Sequence, residues 1–331
     1  MYKSLKIFLI SYLLLINASH ADVLDQNSIN QFIENMVATY QYDADKLHSL
    51  FSQVKLSQRV LEAISRPAEK LPWYEYRTLF LQPDRIEQGL IFWERYQTAL
   101  KRADQLYGVP AHIIVAIIGV ETRYGQSTGK DRVMDALATL AFHYPERSDF
   151  FRNELEEYLL LTREQGIDPL SIKGSYAGAM GIPQFIPSSY RRYAIDFDDD
   201  GKIDIWNNPV DAIGSVANYF NQYGWEMGEM IAVPAEIQSN QYVEILNDDP
   251  EPHIRADELK KYGINQPEYV PPEALLKLLR LDTSEGEEIW LGLNNFYVIT
   301  RYNHSVLYAM AVYQLSDEIL RRYENKVAIF K

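Results

Sequence analysis

Cysteine is absent from the 331 residues, which rules out disulfides, zinc–thiolate centres, a cysteine nucleophile and a lipid-modified cysteine behind an export leader. Positive charge is also scarce. Lys and Arg number 32 against 46 Asp and Glu, a formal net charge of -14, so nucleic acid and anionic membrane surfaces are poor partners for the long-range field. Internal repeats and low-complexity linkers are missing. The apolar run from Ile7 to Ile16 is too short for a comfortable ~20-residue membrane span. It follows Lys3 and Lys6 and precedes the small residues Ser19 and Ala21, which is the three-part pattern of a secretory signal. Cleavage after Ala21 is expected, leaving a protein soluble outside the cytoplasm.

The hydrophobic content of 47% can build real cores. Aromatics reach 13% with 24 Tyr, more than packing usually needs, and such rings suit a surface that stacks on sugars. The periodicity predicts a mainly α chain with a small β part, an α+β fold. After the signal at 1–21, residues 22–100 read as a mostly helical module, with an extended segment around Trp73 to Leu81. Residues 101–232 hold the strongest helical patterns: Ala111 to Tyr124, Val133 to His143, Ser148 to Gln165 and Val210 to Tyr223. Residues 233–292 mix Pro-rich turns with short strand-like runs, among them Glu288 to Leu291. In 293–331 an extended FYVITRYN run gives way to a helix through Tyr308, Ala309, Val312 and Leu315.

The segment VPAHIIVAIIGVETRYG starts at a proline suited to a first helical turn and stops at Gly125. Ile113, Ile114, Ile117, Ile118 and Val120 make this helix apolar around most of its circumference, so it should be buried, with Glu121 at its end. Burial and the negative end of the helix dipole both favour a protonated carboxyl, as a general acid requires. Taken alone, a helical Glu that turns to solvent or pairs with Arg123 or Arg147 is the commoner case.

After Leu170 comes KGSYAGAMGIPQFIPSSY, with Gly174, Gly178 and Gly181 in one short stretch. Glycine lets backbone approach a ligand closely, and proline stiffens the frame. With Ser175, Tyr176, Gln184, Ser188, Ser189 and Tyr190, the loop suits an uncharged, polyhydroxylated, N-acetylated ligand. It contains no Asp or Glu. Glycoside hydrolysis usually needs two carboxylates about 5–9.5 Å apart, and the remaining second acids are Glu164, Asp168 and Asp131.

In DFDDDGKIDIWN, Asp196, Asp198 and Asp200 occupy positions 1, 3 and 5, Gly201 the sharp turn and Lys202 the backbone-oxygen position. This matches the first half of an EF-hand loop. Position 12 is Asn207 rather than a bidentate Glu, and the next suitable carboxylate is Asp211. Clustered Asp residues repel one another unless neutralised, so a structural calcium ion is expected, with no organic cofactor.

GVETRYG, GSYAGAMGIPQFIPSS, WNNPVDAIGSVANYF and FYVITRYNHSVLYAMAVYQL, in that order, closely resemble the lytic murein transglycosylase B family. The resemblance implies a lysozyme-like helical core with an inserted calcium loop (196–211) closing on Asp211, flanked by a helical domain and a small β-containing one. It also implies cleavage of the β-1,4 bond between N-acetylmuramic acid and N-acetylglucosamine in peptidoglycan without water, giving 1,6-anhydromuramoyl ends. Glu121 matches the catalytic position as sole acid and base. Ser175, Gln184, Tyr219 and Tyr76 match sugar-site residues, and Tyr297 and Tyr302 of the FYVITRYN run join them. Arg147 matches a substrate-contacting arginine, though Glu146 stands where a second base is expected. The resemblance further implies a monomeric periplasmic enzyme acting on glycan strands, with wall-synthesis or division proteins as unidentified partners. Two rival readings are a hydrolytic muramidase with a second carboxylate and a non-catalytic glycan-binding module.

Overall fold

The computed structural model describes residues 26–66 and 71–329; the expected signal at 1–21 lies outside them. The chain divides into two compact units, one up to Leu56 and one from Ser57 onward. The first contains α1 (Gln26–Tyr40) and α2 (Ala44–Phe51). The Asp43 side chain accepts the Lys46 N–H and starts α2. Phe32 and Phe51 meet edge-on, centroids 5.8 Å apart.

The second unit is mostly helical. It begins with α3 (Gln58–Ile64), α4 (Trp73–Tyr76), α5 (Pro83–Arg95), α6 (Gln97–Tyr107) and α7 (Ala111–Thr122). The two-residue strands β1 (Asp131–Arg132) and β2 (Lys173–Gly174) pair with each other and flank α8 (Val133–His143) and α9 (Ser148–Glu164). Two further helices, α10 (Pro187–Tyr193) and α11 (Pro209–Gln222), follow. All but three of the twelve residues of α7 are buried, as its apolar circumference predicts; α5, α6, α11 and the C-terminal α13 (Val306–Ile329) surround it. Such a helix can be stable only as the centre of a bundle.

The β part comprises β3 (Ala232–Pro234), β4 (Glu236–Ile237), β5 (Ile254–Arg255), β6 (Ile264–Asn265), β7 (Leu275–Thr283) and β8 (Gly286–Gly292). β4 pairs with β6, and the four-stranded antiparallel sheet runs β3-β8-β7-β5. β7 is buried on both faces. Leu276 and Leu278 enter the small core with Val233, Ile254 and Leu291. On the other face, Leu279 and Phe296 of α12 (Asn294–Tyr302) both lie beside Gly292. The architecture is therefore α-rich with small sheets.

Two local expectations are corrected. Trp73 to Leu81 is not extended but forms α4 and a 3₁₀ turn, Arg77–Leu79. FYVITRYN is helical, as α12. Its β-branched residues favour strands in isolation, but packing and anchoring prevail. The Asn295 amide receives the Glu226 N–H and donates to the carbonyls of Glu226 and Glu229, while Asn294 donates to Gly224 O. These bonds fix the first turn, and Phe296, Val298 and Ile299 are then buried. Among the described residues no single helix is long and apolar enough to cross a membrane.

Candidate active site

Glu121 lies in the last turn of α7 and is partly exposed, whereas Ile113 to Val120 and Thr122 of the same helix are buried. The helix ends because Arg123 and Tyr124 take left-handed backbone, φ 50° and 61°. Such angles are uncommon for residues with a side chain and tend to mark functional sites. Tyr124 then folds back over α5 and α7 where both carry glycine. A Cβ on Gly89 or Gly119 would lie 2.6 Å from the Tyr124 hydroxyl. That hydroxyl donates to Arg85 O at 2.8 Å.

Thr122, next to Glu121, ties the helix end to the glycine-rich loop. Its Oγ1 donates to Ile182 O at 2.8 Å and accepts the Gly125 N–H at 3.0 Å. Within the loop, Gly174 is required because a Cβ there would meet Ala179 O at 2.2 Å. Ser175 Oγ accepts the N–H groups of Ala177 and Ala179, leaving its own proton to be donated. Gln184, at φ 52°, donates to Thr128 O and Gly181 O.

Against Glu121 stands a residue that sequence reasoning placed only in the packing of the last helix. Tyr308, on the first turn of α13, donates its hydroxyl to Glu121 Oε1 at 2.5 Å. Tyr302 donates to Pro183 O at 2.6 Å and Tyr219 to Arg301 O at 2.5 Å, their rings 4.9 Å apart. Burial pushes the Tyr302 and Tyr308 phenols well up, and the charge of Glu121 adds to it. The buried Tyr76 also acts on Tyr308. Around the carboxyl there is thus a group of phenols that stay neutral. They can donate protons in hydrogen bonds but cannot become competing anions.

A cleft of 440 Å³ is lined by Arg147, Gln184, Tyr219 and Tyr302 of the expected set, together with Arg192 and Arg301. The Arg147 guanidinium lies 4.4 Å from the Phe150 ring centroid, a cation–π contact that shelves it on an aromatic surface. Tyr297 lines a separate cavity of 350 Å³ with Glu226, Glu229 and Glu251. The three candidate second acids are engaged elsewhere. Glu164 is bidentate with Arg191, at 3.0 and 2.7 Å. Asp168 accepts the Leu170 N–H, and Asp131 pairs with Arg59. The carboxylate that does reach the cleft is Glu154, which sequence reading did not single out. It accepts both the N–H and the hydroxyl of Ser188 and so caps α10. Burial pushes its carboxyl up.

These elements have known counterparts. The family model for the transglycosylase SLT domain matches residues 25–317. The chain belongs to that family. It is 45% identical over 316 residues to the membrane-bound lytic murein transglycosylase B of Escherichia coli (strain K12), covering 90% of this chain and 84% of that one. The crystal structure of the soluble lytic transglycosylase SltB1 from Pseudomonas aeruginosa superposes with a TM-score of 0.84 at 50% identity, over 89% and 99% of the two chains. The Escherichia coli lytic transglycosylase Slt35 in complex with calcium gives 0.81 at 46% identity, over 89% and 93%.

In this SLT transglycosylase the acidic loop after α10 brings carboxylate oxygens of Asp196, Asp198 and Asp211 within 4.8 Å of one another. Asp200 is not in that group; its Oδ1 accepts the Lys202 N–H. Asp211 is fully buried and accepts the N–H groups of Phe197 and Asp204, closing the loop onto α11. Burial nevertheless pushes its carboxyl up. Three carboxylates with no nitrogen or sulfur donor suit a hard cation.

Proposed function

We propose that this protein is a lytic transglycosylase that cleaves the glycan chains of peptidoglycan with Glu121 as its sole acid and base. The observation carrying this reading is Glu121 at the end of a buried helix, hydrogen-bonded by Tyr308, while Glu164 and Asp131 are held in ion pairs and Glu154, the carboxylate that reaches the cleft, is taken up by Ser188. The Glu121 carboxyl protonates the β-1,4 glycosidic oxygen between N-acetylmuramic acid and N-acetylglucosamine, and the C1–O bond breaks. As carboxylate it takes the proton from the muramoyl C6 hydroxyl, whose oxygen closes on C1. The product is a 1,6-anhydromuramoyl end, and no water is consumed. Ser175, Gln184, Tyr219, Tyr302, Tyr76 and Arg147 hold the sugars through neutral hydrogen bonds, ring faces and one cation. Tyr297, in its separate cavity, would meet only a distant part of the strand. The core is lysozyme-like and carries the EF-hand-like loop. A calcium ion held by Asp196, Asp198 and Asp211, with Asp200 and the Lys202 carbonyl completing the set, would neutralise that loop and brace α11. The enzyme acts in the periplasm.

Glu121→Gln keeps the shape but can neither give nor take a proton. Its turnover of purified peptidoglycan should fall by several orders of magnitude while glycan binding persists. Activity within about tenfold of wild type would remove Glu121 from this role.

A further inference from the structure

Arg85, on α5, is buried, and no described carboxylate forms an ion pair with it. Its Nη1 donates to Gly119 O at 2.6 Å and reaches Val120 O at 3.5 Å, while Nη2 donates to Leu79 O at 3.0 Å. Nε has no partner. The guanidinium lies 5.3 Å from the Phe80 ring centroid. A buried cation without a carboxylate is costly, and the compensation visible here is the C-terminal end of α7. There the carbonyl end of a helix carries roughly half a negative charge, and Gly119 O, which already accepts the Arg123 N–H at 3.2 Å, takes a second donor from Arg85. The two carbonyls it binds belong to the residues immediately before Glu121.

We propose that Arg85 is a positioning residue for the reaction: it caps the end of α7 that presents Glu121 and offsets the negative helix end beside that carboxyl. This rests on Glu121 being the acid and base. An acid that must also act as a carboxylate within one turnover cannot be held too strongly in its protonated form. The positive end-cap works against the helix dipole, which favours the proton. Burial and the nearby Arg123 lower the Arg85 pKa, but a guanidinium stays charged in proteins. The other groups facing this end are neutral or paired. Tyr308 and Tyr302 come from α13 and α12, and Tyr219 of α11 acts on Tyr302. Tyr124 binds Arg85 O, and Arg123 stands 3.9 Å from Asp84. From α6, Arg102 is turned to Phe197 O and Asp199.

The test is the pH profile of kcat/KM for wild type, Arg85→Gln and Arg85→Lys, with Glu121→Gln as control. Arg85→Gln keeps a donor but loses the charge. Its alkaline limb should move up by about one pH unit, with kcat reduced about tenfold or more and KM within about twofold. Arg85→Lys keeps the charge but loses the fork. Its limb should stay within about 0.3 unit while kcat falls about tenfold. An unmoved limb in a folded Arg85→Gln overturns the proposal, and so does wild-type kcat in Arg85→Lys; the latter decides alone should the Gln variant not fold. An active Glu121→Gln would instead overturn the reading on which the proposal rests.

Discussion

Tyr308 is where sequence and structure part most clearly at the level of single residues. It falls at helical spacing with Ala309, Val312 and Leu315, and its ring is indeed buried, so periodicity reads it as core. Only the fold shows that its hydroxyl meets a carboxyl 187 positions earlier. Glu121, in contrast, stands out as the lone acid at the end of an apolar run, although by itself that pattern fits a solvated Glu as well, and only the motif GVETRYG singles it out. Arg85 and Glu154 are invisible there because each looks like the polar face of an amphipathic helix. Tyr308→Phe removes the hydrogen bond but retains the ring. We expect kcat to fall about ten- to a hundredfold with KM little changed, because the bond orients the acid rather than holding substrate. Steady-state kinetics on a soluble glycan-strand fragment would show this. A variant with wild-type kcat would make Tyr308 a packing residue only.

Among the elements, α7 and the acidic loop follow from pattern, whereas α4 and α12 do not. The apolar circumference of α7 leaves no other environment for it, and alternate Asp residues before Gly201 mark a tight acidic turn. In α12 the deciding contacts, from Asn294 and Asn295 to the loop after α11, are set by distant chain and leave no local signature. The loop's closure on Asp211 has a measurable consequence. If calcium binds only the folded loop, chelation should lower the melting temperature and calcium restore it, by an amount rising with ligand excess over its dissociation constant. Asp211→Asn should abolish that response. Superimposable melting curves with and without chelator would reduce the loop to acidic surface.

Across the whole molecule, the α-rich composition with its small β part was readable because helix periodicity and proline-rich turns are local. The pairing order of the sheet and the burial of β7 on both faces were not, since register depends on partners far along the chain. The bundle also carries a pH response through His112, at the start of α7 against the Trp93 ring. Burial pushes its imidazole down to about 4 from 6.5. The unfolded chain therefore binds a proton that the folded one refuses between those values. The stability it contributes is complete above pH 6.5 and declines as pH falls toward 4. Thermal melts of His112→Gln should accordingly lose less stability over that interval than wild type; an equal loss would assign the acid sensitivity to other groups. Cleavage without water is decided by digestion of purified peptidoglycan in heavy-oxygen water. Anhydromuramoyl ends should be free of solvent label, two hydrogens and one oxygen lighter than hydrolysed ends. A majority product carrying heavy oxygen at C1 would contradict it and make the enzyme a hydrolase.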